Sequence, residues 1–145
     1  MKKVVLGLLV LIILIQFIRP EKNTSKDWTN DYTNELAVPE DVKTIIKNSC
    51  ADCHSNYTKY PWYSEVAPAS WYLAQHVNEG KEHLNFSEWT AYNSNQKKHI
   101  IKDLKEVLQS HEMPLKSYLI LHEEAKLTKE QYETFQNWVK TIVIE

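Results

Sequence analysis

The pentapeptide Cys50-Ala51-Asp52-Cys53-His54 decides how the rest of the chain is read. Its Cys-x-x-Cys-His spacing is that of a covalent haem attachment site. In that chemistry two thiols add to the haem vinyl groups, and the adjacent imidazole becomes the proximal iron ligand. Cys50 and Cys53 are the only cysteines in 145 residues. They lie about one helical turn apart, so one macrocycle edge can span both sulfurs while His54 swings under the metal. A thioredoxin-type redox pair would need a βαβ context, which is not visible. A zinc knuckle would need two further ligands at metal spacing. A plain disulfide leaves His54 without a purpose.

Outward from the motif, the composition favours helices. Hydrophobic residues make up 43% of the chain, enough for a core, and there are only 2 Gly. Sandwiches and barrels need many glycine turns. Lys2, Lys3 and Arg19 all precede Pro20; beyond them 14 basic side chains face 19 acidic ones, a net charge of −5. No basic stripe points to nucleic acid.

Residues 1–18 read as an N-terminal signal anchor. Val4–Ile18 is apolar apart from Gly7 and Gln16, and no small-x-small cleavage pattern follows it. As a helix this run rises about 22 Å, short of the roughly 30 Å hydrocarbon core, with Lys3 and Arg19 placed to snorkel. The expected location is the inner membrane, single-pass, with the haem domain facing the periplasm, where c-type haem is attached. Residues 19–38 have neither helical nor strand period and read as a flexible polar linker, reaching about 25 Å.

The haem domain is expected over 39–145. Pro39 opens a helix whose Val42, Ile45, Ile46 and Cys50 share one face, so the surface that packs the core also delivers the thiols. The aromatic loop Ser55–Tyr63 follows; beyond plain packing, Tyr60 and Trp62 are candidate donors to haem propionates, which need partners when partly buried. A second helix is expected over Ala69–Glu79 with Gly80 as its C′ residue, then a short helical start capped by Ser87. A third should span Asn95–Ser110 with Ser94 as N-cap and a stripe of Ile100, Ile101, Leu104, Val107, Leu108 and His111. Thr128-Lys129-Glu130-Gln131 is a capping box for a last helix, buried through Tyr132, Phe135, Trp138, Val139 and Ile142.

Met113 is the candidate distal iron ligand. It is the only methionine besides the initiator, and it sits between the third helix and Pro114, whose fixed φ stiffens the loop. Its other reading is core filler. His76, His83, His99, His111 and His122 are rivals, His111 foremost because of its place on the apolar stripe.

A haem motif after an N-terminal helix, a Met-Pro loop and a C-terminal helix together resemble the class I c-type cytochromes. Within that group the chain is similar to the small bacterial haem-binding-domain family. The resemblance rests on Cys50–His54, Pro61-Trp62-Tyr63, Gly80, Leu84-Asn85-Phe86-Ser87, Trp89, Met113-Pro114, Tyr118, His122, Ala125 and Leu127. It implies an all-α bundle around one covalent haem c. The family pattern of a glycine at the crossing of the terminal helices is missing, because the first helix of the domain has none. The functional expectation is a monohaem cytochrome, not an enzyme, that carries single electrons to redox partners of a membrane electron-transfer chain. A haem sensor or peroxidase-like enzyme is the alternative, and it would need an open distal site.

Overall fold

The computed structural model describes residues 1–144. The domain is all-α: no strand forms among those residues, and one isolated antiparallel bridge joins Thr24 and Tyr57. Seven α-helices follow in order: α1 (Lys2–Ile15), α2 (Glu40–Ser49), α3 (Ala51–His54), α4 (Ala69–His83), α5 (Ser94–Ser110), α6 (Lys116–Leu119) and α7 (Lys129–Thr141).

The anchor reading and the inner-membrane, periplasm-facing placement built on it do not survive. Helix α1 is 14 residues long, about 21 Å at 1.5 Å per residue. No helix among the described residues is long and apolar enough to cross a membrane. The physical reason lies at Gln16. Its side-chain amide pairs with the backbone of Ala67, accepting from Ala67 N–H at 2.9 Å and donating to Ala67 C=O at 3.1 Å. Trp71 Nε1 donates to Ile18 C=O at 2.9 Å, and Arg19 and Lys22 reach Glu65. The apolar helix therefore ends where the chain is bound to the domain.

Residues 19–38 are a strap, not a free linker. Asn23 donates its side-chain amide to Ser55 C=O (2.8 Å) and Thr58 Oγ1 (2.9 Å), its backbone N–H to the Tyr60 hydroxyl (2.7 Å), and accepts from Lys81 Nζ (2.8 Å). Asn30 bonds Thr90 and Glu88. Tyr32 is buried against Phe86 at 5.1 Å between centroids. Trp138 Nε1 donates to Ala37 C=O at 3.0 Å, which fixes the end of the strap to α7. Side-chain bonding of this kind leaves no periodic signature.

The core joins α2, α5 and α7, with α7 packed on both others. Val42, Ile45 and Ile46 of α2, Ile100, Ile101 and Leu108 of α5, and Phe135, Trp138 and Val139 of α7 are buried. Pro39 stands just before α2, and acidic Glu40 and Asp41 occupy its first turn, where the helix dipole favours them. The capping box at Thr128 forms as expected. At α5 the box is made by Asn93 with Gln96, one residue before Ser94. In the 86–91 turn the cap is Asn85, which accepts from Ser87 N–H.

Gly80 does not end α4, which runs three residues further to His83. The missing side chain matters sideways: a Cβ here would sit 2.6 Å from the Cys53 carbonyl oxygen and 3.1 Å from Cys53 Cβ. The glycine therefore allows α4 to lie directly on the motif helix α3.

Candidate haem site

Helix α2 ends at Ser49, and α3 restarts through Cys50, whose φ of −126° breaks the run. The motif thus turns away from α2 while Cys50 still packs on its core. Helix α4 supports α3 from one side, and the 86–91 turn from another. Asn56, two residues after His54, donates to Glu88 and accepts from the Asn85 amide (2.7 Å), while its N–H bonds the Ser87 hydroxyl (3.1 Å). This polar network is half-buried and fully paired, which holds the loop after the motif in one conformation.

Cys50, Cys53 and His54 line a cavity of about 600 Å³, together with Gly80, Leu84, Phe86, Ile100, Leu104, Leu108, Met113, Leu127 and Phe135. That volume falls in the range of cofactor clefts, roughly 300–1,000 Å³. The distant Met113 thus opens on the same space as the pentapeptide. The wall is mostly apolar but also carries Asp52, Glu79, Asp103, Glu106, His76 and His83. Two thiols, an imidazole and a thioether on it form a donor set suited to haem iron and its vinyl edge.

Both cysteines are free thiols. Burial pushes the Cys50 thiol up to about 12; burial and the Asp52 carboxylate push Cys53 up to about 11. Burial also lowers the His54 pKa, which favours the neutral ring. His54 Nδ1 lies 3.0 Å from the Leu84 carbonyl, which can only accept, so Nδ1 carries the hydrogen. Nε2 keeps its lone pair for a metal.

The motif's interior is also fixed. The Tyr118 hydroxyl donates to Asp52 Oδ2 at 2.8 Å, and Lys59 N–H donates to Oδ1 at 2.9 Å. Burial and the facing carboxylate raise the Tyr118 pKa, so its phenol stays a donor. The Tyr118 ring stacks on His122 (4.2 Å, 12°), which bonds the Tyr63 hydroxyl at 2.7 Å and faces Glu124. Nothing local in the sequence signals the Tyr118–Asp52 bond, whose partners are 66 residues apart.

The structure separates the remaining candidates. His76 and His83 line the cavity. His111 does not: it closes α5 in a left-handed conformation (φ 57°) and stacks on Tyr132 at 4.1 Å. His99 is on the surface beside Asp103, and His122 is held by Tyr63. Tyr60 lines a second cleft, with Trp28, Tyr57 and His122, and its hydroxyl accepts from Asn23. Trp62 is 80% exposed and lines neither space.

No curated protein and no solved structure matches the chain. A family model described as a haem-binding domain matches residues 10–141, which takes in the motif, the Met113 loop and α7. The chain therefore belongs to the haem-binding domain family.

Proposed function

We propose that this protein is a one-electron carrier that holds a single haem c, with thioethers to Cys50 and Cys53 and with His54 and Met113 as iron ligands. The observation that carries the reading is that Met113 and the pentapeptide, 59 residues apart from His54 onward in the chain, open on one cavity with a mostly apolar wall. When bound, the haem supplies a reversible ferrous–ferric couple. His54 presents Nε2 because its other nitrogen is engaged by Leu84. A methionine and a histidine holding the iron together would raise its potential. Leu84, Phe86, Leu104, Leu127 and Phe135 form the apolar part of the cavity wall, which would keep water from a haem held there. Such a carrier needs no substrate pocket and meets redox-protein partners through a small, transient interface.

The test is a potentiometric titration of the wild type and Met113→Ala, followed optically. The wild type should titrate with one-electron slope and show a sulfur-to-iron charge-transfer band in the oxidised state. Met113→Ala should lose the band, fall in potential and bind carbon monoxide or cyanide. An unchanged Met113→Ala spectrum would move the ligand role to His76 or His83, the histidines that share the cavity. A wild-type iron already open to cyanide would favour a sensor or enzyme.

A further inference from the structure

We infer that Tyr118 is the positioning residue for the Met113 thioether, acting through its bond to Asp52; this rests on the reading of Met113 as an iron ligand. The segment from Met113 to Tyr118 is tied at both ends. At one end the Tyr132 hydroxyl of α7 donates to the Met113 carbonyl at 2.8 Å. At the other the Tyr118 hydroxyl donates to Asp52 Oδ2 at 2.8 Å, between the two haem-binding cysteines. Pro114, buried between these ties, has its φ fixed by the ring. The Asp52 carboxylate is itself oriented by Lys59 N–H, and the Asp52 carbonyl by Thr58 Oγ1 at 2.6 Å.

Neither hydroxyl is needed as a ligand. Their effect is to make the loop that carries the sulfur and the loop that carries the thiols one rigid body. A thioether is a weak, neutral donor that cannot hold an iron against thermal motion of its own loop. Tyr118 also borders both the haem cavity and the second cleft. Its stacking on His122 and the His122–Tyr63 bond brace it from the far side.

The test uses the haem-loaded full chain and the variants Tyr118→Phe, Asp52→Asn, their double, and Met113→Ala. Tyr118→Phe keeps the ring and its stacking and removes only the donor. Because a hydrogen bond to a carboxylate is among the stronger kinds, cyanide affinity should rise about 10-fold to 100-fold. The charge-transfer band should vanish on warming at temperatures where helix content by circular dichroism is unchanged. Asp52→Asn, which approaches the same bond from its other end, should give a smaller rise, and the double variant should not exceed Tyr118→Phe. If Tyr118→Phe fails to fold, Asp52→Asn carries the same readout. Cyanide affinity within twofold of wild type, band and helices melting together, or additive effects of the two substitutions would overturn the inference. A Met113→Ala spectrum identical to wild type would overturn Met113 ligation itself and the positioning role with it.

Discussion

Replacing Gly80 with alanine should damage the haem site from behind. Alanine is the better helix former by about 1 kcal/mol, so an isolated α4 would gain. The new Cβ would meet Cys53 O at 2.6 Å, Cys53 Cβ at 3.1 Å and Cys53 C at 3.2 Å. All three belong to the motif helix, and the closest is backbone, so no flexible side chain can yield. Ordinary contact begins at 3.4 Å, so α3 and α4 must part by most of an ångström. That shift also stretches the 3.0 Å bond from His54 of α3 to Leu84, the residue that follows α4. Overpacking costs about 1–3 kcal/mol. With the propensity gain set against the upper half of that range and the strained His54 bond added, the net loss should be about 2 kcal/mol. For a chain this size that lowers Tm by about 6–8 °C. The assay is a thermal melt of the haem-loaded protein by circular dichroism, beside Gly7→Ala, where nothing lies within 4 Å of the added carbon. Gly7→Ala should leave Tm unchanged or slightly higher. A Gly80→Ala protein as stable as wild type, with an unchanged haem spectrum, would refute the claim that α4 fixes the motif by close approach.

Other outcomes follow from the same contacts. Asn23→Ala removes bonds to Ser55, Thr58 and Lys81 and should cost about 2–3 kcal/mol, read as a fall in urea midpoint at constant slope; an unchanged midpoint would show the strap to be loose. In the haem-free protein the raised thiol pKa values mean little thiolate at pH 8, so native alkylation of Cys50 and Cys53 should be far slower than in urea and should climb with pH toward 11. The same shifts set a stability trend: from pH 9, the ordinary thiol value, toward 11–12 the unfolded chain gives up protons that the fold retains, so the haem-free fold should weaken as pH rises through that window. Equal alkylation rates in native and unfolded protein would contradict this.

The stripes of α2, α5 and α7 were legible because burial repeats with the helical period, and the pentapeptide stood out by its local spacing. Met113 could be singled out by elimination, although its place on the same cavity as His54 is tertiary. Gly80 misled because glycine often ends a helix, whereas here its use is lateral, toward a residue 27 positions earlier that no window includes. The strap misled for a related reason: Asn23, Asn30 and Tyr32 bond or pack against residues 32 or more positions away, and polar pairing has no period. Val4–Ile18 is membrane-like in composition, yet Gln16 turns to the Ala67 backbone and the helix stops too short. His111 lay on the apolar stripe by count, but a left-handed backbone at the helix end carries it out of the cavity.

The central claim is that Cys50 and Cys53 bind the haem covalently, and the most direct measurement is the intact mass of the haem-loaded protein after acid-acetone extraction and denaturation. The account predicts one species, the polypeptide plus one haem, and polypeptide alone for Cys50→Ala/Cys53→Ala. Wild-type polypeptide at its bare mass, with all haem in the extract, would contradict it.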